Sequence, residues 1–253
     1  MEHGGNLSIV ILAAGPGSRL GELTKEKSKA LVSVQGVPLV LYAIAWARLF
    51  SPTKIIVVGG SHYDLLRDVL GEKTPDVALV ENKEWATSRR MESLYSTKDE
   101  ILGGLFFFDV DYIMRREGVG PIHKGFGDET TYFATSTTSP ETTQDGEVVT
   151  EDGRFVKDIV THTSVPVLNP GEFYVSALMY ISEKDVATFF DAIHTASVEK
   201  ASTKNVLDHF KKSGRRVMVY DLKEPYWAEV DTREELTRAE AFIESHQESF
   251  NYV

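Results

Sequence analysis

The chain has no cysteine. That excludes disulfides, thiolate metal sites and cysteine nucleophiles, and it fits a reducing compartment, so a cytoplasmic protein is expected. It also lacks any long apolar run: nothing approaches the roughly 20 residues that a membrane helix needs. The opening stretch MEHGGNLSIVI has no basic region ahead of its short apolar run, so no secretory leader is expected. Positive charge is scarce. The 27 Lys and Arg stand against 38 Asp and Glu, a formal net charge of −11. Such a surface repels nucleic acid and anionic membranes, so neither is expected as a partner. A small anionic ligand would need a local basic pocket or a metal ion. The 7 histidines are scattered, with no metal-ligand spacing such as His-x-x-x-His. No internal repeat or long linker interrupts the 253 residues.

What is there is alternation. LSIVILAAG reads as a buried strand entering a glycine turn, and KIIVVGG (54–60), DVALVEN (76–82) and GLFFFDVD (104–111) read as three more strands. Helical patterns lie between them: VPLVLYAIAWARLF (37–50) with Pro38 in its first turn, SHYDLLRDVLG (61–71) with Ser61 as cap and Gly71 as stop, and TSRRMESLYSTKDEIL (87–102). This order predicts an α/β fold, a Rossmann-like doubly wound and mostly parallel sheet that binds ligands at the carboxyl ends of its strands.

From about residue 120 the pattern becomes threonine-rich and alternating, with turn signals at Asp145-Gly146 and Asp152-Gly153, and predicts a β-rich insertion. EFYVSALMYIS (172–182) and RRVMVYDL (215–222) add strands, and helices are expected near 183–195 and 203–213. The last helix, TREELTRAEAFIESH (232–246), has Thr232 and Glu235 placed as a capping box. One domain over 1–253 is expected, built from halves 1–118 and 119–253.

The glycine turn reads LAAGPGSRL (12–20). Gly15 and Gly17 permit positive φ and let backbone N–H groups approach a ligand. Two familiar phosphate cradles fail here: the dinucleotide fingerprint wants glycine where Leu20 stands, and no Gly-Lys-Ser/Thr follows for a P-loop. Yet Arg19 and Lys29 share the same loop region. Arginine forks two phosphate oxygens and lysine acts as a point charge, so the pair suits a triphosphate. Lys25 and Lys27 read as solvated surface charge. Asp109 and Asp111 end a run too apolar for a surface strand, and Asp231 follows WAEV in the same manner. A carboxylate there is costly unless it is paired, at a strand mouth or on a metal. Two hard oxygen ligands from distant strands, with phosphate oxygens and water, make a magnesium site.

LAAGPGSRL, followed by Lys29 in KALVSVQGVPLV, resembles the signature of the sugar-nucleotidyltransferase superfamily, the MobA-like NTP transferases included. The span from ENKEWATSRRMESLY onward resembles the branch of choline-phosphate and phosphonate cytidylyltransferases. The resemblance implies the nucleotide-diphospho-sugar transferase fold and transfer of CMP from CTP to a small phosphorylated or phosphonate acceptor, with Mg²⁺ as cofactor and release of pyrophosphate. It implies a nucleotide-binding half at 1–118 and an acceptor-binding, metal-completing half at 119–253. It implies Lys29, Arg19, Asp109 and Asp231 as catalytic residues, the two aspartates being the metal ligands. Leu12, Ala13, Ala14, Gly15, Gly17, Ser18, Asn82 and Ser88 join Arg19 and Lys29 on the nucleotide.

Arg89, Asp111, Tyr174, Tyr226 and Trp227 are expected on the acceptor. Several have second readings: Asn82 as a turn former, Asp111 as a helix cap, the aromatics as core, and Arg90 as an exposed partner of Glu92 and Asp99. The chain departs from the pattern at Ser28, where the superfamily usually has proline, and at Arg89 and Arg90, where the choline-type branch has two asparagines. At the start of a helix these two arginines suit an anionic acceptor bearing a carboxylate, phosphonate or second phosphate, and they leave the acceptor's identity open. Hexose-1-phosphate transfer with UTP, GTP or dTTP, and a non-catalytic nucleotide sensor, are the alternatives. A monomer or a homodimer is expected.

Overall fold

The structure is a computed structural model, and it describes residues 6–141, 146–162 and 164–253. The first half contains β1 (Leu7–Ala13), β2 (Ser33–Val34), β3 (Val37–Pro38), α1 (Leu39–Arg48), β4 (Lys54–Gly59), α2 (Tyr63–Lys73), β5 (Ala78–Glu81), α3 (Arg90–Tyr95), β6 (Gly104–Asp109) and β7 (Tyr112–Met114). The second contains α4 (Val119–Lys124), β8 (Thr130–Thr135), β9 (Gly146–Glu151), β10 (Phe155–Thr161), β11 (Glu172–Ile181), α5 (Val186–Ala196), α6 (Thr203–Lys212), β12 (Val217–Asp221), β13 (Trp227–Glu229) and α7 (Arg233–Ser245).

The fold is mixed α/β. Nine strands form one sheet in the order β5-β4-β1-β6-β11-β8-β12-β10-β9. It is parallel from β5 to β6 and where β8 meets β12; β11, β10 and β9 join antiparallel to their neighbours. β1 is apolar throughout because both of its faces are covered. Ile9, Ile11 and Ala13 pack into a layer with Trp46 of α1 and Phe242 of α7. Val10 and Leu12 pack into the opposite layer with Met91 and Leu94 of α3, Phe189 of α5 and Phe210 of α6. β6 repeats the pattern, with Phe106 and Phe108 on one side and Phe107 on the other. Two helical layers therefore sandwich the sheet and leave its strand ends as the open edges.

Several local expectations meet the structure directly. The capping box forms: Thr232 Oγ1 accepts from Glu235 N at 3.2 Å, and Glu235 Oε2 accepts from Thr232 N at 2.8 Å. Asp152 (φ 55°) and Gly153 (φ 68°) both adopt the left-handed region between β9 and β10, as a tight hairpin requires. The signal at Asp145-Gly146 falls partly outside the described residues, and Gly146 opens β9. Others differ. The helix expected over 87–102 is only Arg90–Tyr95 followed by a 3₁₀ turn at Lys98–Glu100. Its start is delayed because Arg89 is extended (φ −106°, ψ −179°) and serves as the N-cap, so helical backbone begins only at Arg90. α2 runs through Gly71 to Lys73, and the residue before it is His62 (φ 51°), whose Nδ1 engages Ser61 Oγ at 2.9 Å.

Candidate functional site

β1 and β6 end side by side, with Leu12 in register with Asp109 and Val110 N donating to Leu12 O at 3.0 Å. Beyond β6 the chain reverses into β7, which pairs antiparallel with β13 so that Tyr112 faces Glu229. The link Val230 N to Asp111 O, 3.1 Å, then draws Asp231 beside Asp111. A cleft of 360 Å³ opens at this carboxyl edge. Leu12, Ala13, Ala14, Gly15, Gly17, Ser18, Arg19, Lys29, Ser88, Arg89, Asp109, Asp111 and Asp231 all line it. A larger hollow of 490 Å³ lies at the opposite end of the strands, around Leu7 and Gly104, and contains none of the expected site residues.

Gly17 is left-handed (φ 68°), and a Cβ built there would sit 2.7 Å from Lys29 Cβ. The missing side chain is what lets Lys29 pack beneath the loop. Gly15 contributes differently: it does not take positive φ, and no atom lies within 4 Å of its Cβ position. Lys29 begins a 3₁₀ turn, Lys29–Leu31, rather than a strand. Before it, Ser28 has φ −66°, the value proline imposes, so serine keeps the backbone shape. Its buried hydroxyl has no hydrogen-bond partner among the described residues.

The charges interlock. Lys29 Nζ donates to Asp111 Oδ2 at 2.5 Å and to Asp231 Oδ1. Arg19 pairs with Asp231 Oδ2 at 2.7 Å. Burial of the Lys29 ammonium opposes its charge, but the carboxylates of Asp111 and Asp231 outweigh that and hold its pKa above the ordinary lysine value. Arg90 is not the exposed partner of Glu92 and Asp99. Its Nε donates to both oxygens of Asp109, at 2.8 and 2.9 Å. Burial is the largest influence on Asp109 and pushes its pKa up, while the Arg90 guanidinium pulls it down.

Asn82 is a correction of detail. It is buried and outside the cleft lining; its Nδ2 donates to Ser88 Oγ at 2.8 Å and to Ser93 Oγ at 2.9 Å. It thereby fixes the loop that carries Ser88 and Arg89. The three aromatics placed on the acceptor also lie outside the cleft. Trp227 is 1% exposed and stacks on Tyr112 with ring centroids 5.1 Å apart. Tyr226 packs on Gly118, with the Arg115 guanidinium 5.2 Å from its ring centroid. Tyr174 turns its hydroxyl onto Pro166 O at 3.2 Å. Each is held by core or backbone contacts, the commoner fate of strand aromatics. Trp85, Ser93 and Val110 line the cleft without having been singled out for it, and Arg90, for which an anionic acceptor was one of two readings, lines it too. Gly60 had a signal, the Gly-Gly after β4: its Cβ would lie 2.5 Å from Trp85 Cβ and 2.7 Å from Ala14 O.

A hard divalent cation takes oxygen ligands and keeps water and phosphate oxygens in its shell. Asp109, Asp111 and Asp231 present carboxylates to one cleft, and Asp111 Oδ1 is buried without a partner among the described residues. Among those residues no three acidic or histidine side chains form a ready-made cage. Carboxylates facing the cleft could supply part of such an ion's oxygen shell, with water and phosphate oxygens as the rest.

This mixed sheet with its open edge matches solved nucleotidyltransferase structures in fold. It matches the solved CTP:phosphocholine cytidylyltransferase from Streptococcus pneumoniae with TM-score 0.71 and 23% identity, over 94% of this chain and 99% of that one. It matches the inositol-1-phosphate CTP transferase from T. maritima with TM-score 0.75 and 17% identity, over 97% and 98%. At such identities the likeness is one of fold. Residues 9–115 match the model of the MobA-like NTP transferase domain. The chain is 32% identical, across 113 residues, to the 2-aminoethylphosphonate cytidylyltransferase of Lancefieldella rimae, covering 44% of this chain and 46% of that protein. It is 34% identical, across 108 residues, to the choline-phosphate cytidylyltransferase of Streptococcus pneumoniae, covering 42% and 44%. The aligned stretch thus spans less than half the length of these curated relatives. Among the described residues no helix is long and apolar enough to cross a membrane.

Proposed function

We propose that the chain is a Mg²⁺-dependent cytidylyltransferase that transfers CMP from CTP to a small phosphorylated or phosphonate acceptor and releases pyrophosphate. One observation carries the reading most: Lys29 sits under the glycine loop, gripped by Asp111 and Asp231, in the cleft that Arg19 and Asp109 share. The transferase domain over 9–115 and two cytidylyltransferase relatives support the nucleotide and its base.

An acceptor oxygen, already anionic at neutral pH, attacks the α-phosphorus of CTP in line. The bond to the α,β-bridging oxygen breaks, and pyrophosphate leaves with that electron pair. No general base is required, so catalysis is positioning and charge stabilisation. Leu12, Ala13 and Ala14 lie along the base and ribose, with Ser88 set in place by Asn82. Gly15, Gly17 and Ser18 open the backbone to the phosphates. Lys29 offsets the charge that builds on the α-phosphate oxygens, and Arg19 holds the leaving pyrophosphate. Both cations exchange pairing with Asp231 for pairing with phosphate. Asp109 and Asp231 would hold Mg²⁺, which when bound would neutralise phosphate charge. Arg89 and Asp111 complete the nucleotide cleft, where Asp111 holds Lys29. The chain works as one domain, in which 1–118 binds the nucleotide while 119–253 supplies Asp231 and the rest of the acceptor cleft.

The test is a matrix of four NTPs against phosphocholine, 2-aminoethylphosphonate, other small phosphonates, inositol phosphate and hexose phosphates, read by pyrophosphate release with Mg²⁺. Release with CTP and a small acceptor is expected. Turnover of hexose 1-phosphates with another NTP would move the reading to sugar activation. Nucleotide binding without release from any pair would leave a nucleotide sensor.

A further inference from the structure

A second cleft, of 220 Å³, adjoins the first, and Arg19, Arg90, Asp109 and Asp231 line both. Its remaining wall includes Tyr112, Ser176 and Glu229. On the reading above, a molecule that attacks the α-phosphorus from this side passes the wall made by Arg90 and Asp109. Arg89, which sequence alone put on the acceptor, is exposed and lines only the nucleotide cleft.

Arg90 is held from several directions at once. Its Nε is on Asp109, its Nη2 donates to Ala177 O at 2.5 Å, and its guanidinium lies 5.0 Å from the Phe107 ring centroid. These contacts fix the plane of the group. They do not use all of its five N–H donors: Nη1 has no hydrogen-bond partner among the described residues. The side chain is 24% exposed, and what is open is open to the clefts. A fixed cation with spare donors is a prepared anion receptor, because little rotamer freedom is lost when a ligand arrives.

We infer that Arg90 is the specificity-determining residue that receives the acceptor's phosphate or phosphonate group, and that the acceptor occupies the smaller cleft. This deepens the proposed function and rests on it. The charge of Arg90 draws the oxyanion in beside Asp109, and the free N–H groups fork it for attack. Lysine cannot replace it: one ammonium on a flexible stem cannot serve Asp109, Ala177 O and an oxyanion together.

The experiment uses the full chain as wild type, Arg90→Lys and Arg90→Gln. Each is titrated calorimetrically, first with α,β-methylene CTP and Mg²⁺, then in that loaded state with methylphosphonate. Both variants are expected to lose methylphosphonate affinity by about tenfold or more, the scale of a lost charge-assisted hydrogen bond, and clearly less of their nucleotide affinity. Unchanged methylphosphonate affinity in the variants overturns the inference. So does a parallel loss of both ligands, which would make Arg90 a brace for the cleft wall. A loaded wild type that shows no saturable methylphosphonate binding also overturns it. A wild type that binds no nucleotide removes the proposed function first, and this inference with it.

Discussion

Lys29→Met separates what this lysine does for the fold from what it does for the reaction. The Lys29 side chain is 9% exposed, and its partners Asp111 and Asp231 are 20% and 16% exposed. Methionine keeps much of the stem and removes the charge. Asp231 retains Arg19 at 2.7 Å, whereas Asp111 loses Lys29, its one side-chain partner among the described residues, where Oδ1 already lacks one. Removing one member of a buried pair costs about 3–5 kcal/mol, and the partial exposure of the carboxylates favours the lower end, ~3 kcal/mol. For a chain of this size that is a fall in Tm of roughly 6–12 °C. The double variant Lys29→Met/Asp111→Asn removes the stranded charge and should regain more than half of the loss. Turnover should fall in both by about 10²–10³-fold, because no charge repair restores the missing stabilisation of the α-phosphate. The assays are a thermal melt and pyrophosphate release. A single variant that melts with wild type, or a double variant less stable than the single, would refute the electrostatic account; near-normal pyrophosphate release would refute the chemical one.

Gly17→Ala combines left-handed backbone (φ 68°) with a 2.7 Å approach to Lys29 Cβ, whereas Gly15→Ala meets nothing within 4 Å. The first should lose about 1–3 kcal/mol of stability and weaken nucleotide binding, and the second should melt close to wild type, as urea titrations will tell. Asn82→Ala leaves the Ser88 and Ser93 hydroxyls without their shared donor and should cost about 1–3 kcal/mol, with weaker nucleotide affinity measured by calorimetry. Trp227→Ala should cost about 3–5 kcal/mol by emptying a buried site, while Trp227→Phe should leave the KM for the acceptor near wild type; a KM defect in the phenylalanine variant would return Trp227 to the acceptor. Chelation with EDTA should abolish pyrophosphate release and added Mg²⁺ should restore it. Retained turnover in EDTA would exclude the role given to Asp109 and Asp231.

The glycine loop, the cations and the carboxylates were legible because each stands at an anomaly in a local pattern. LSIVILA is too apolar for anything but a covered strand, so the loop after it is a strand end. Asp109 interrupts FFFD where burial makes charge costly. Thr232 and Glu235 form a cap from three-residue spacing alone. The partners were not legible. Nothing near Arg90 in the chain names Asp109, whose carboxylate is brought to it because α3 packs on β1 and β6 is the next strand of the sheet. Exposed pairing at helical spacing was the local alternative, and tertiary contact won. Trp227 likewise reads as an aromatic beside a metal aspartate, yet its stack on Tyr112 depends on the β7–β13 pairing.

The sequence by itself therefore determined the inventory and the order: a strand–helix succession, a loop that can approach phosphate, two cations and three carboxylates, on a chain with a net charge of −11. These follow from burial and backbone freedom, which act over a few residues. Only the tertiary structure decided which charges meet. Lys29, Asp111 and Asp231 are distant in the chain and converge because β1, β6 and the β7–β13 ribbon end at one edge of the sheet. Coulombic pairing depends on distance in space, and distance in space is what strand order and register set.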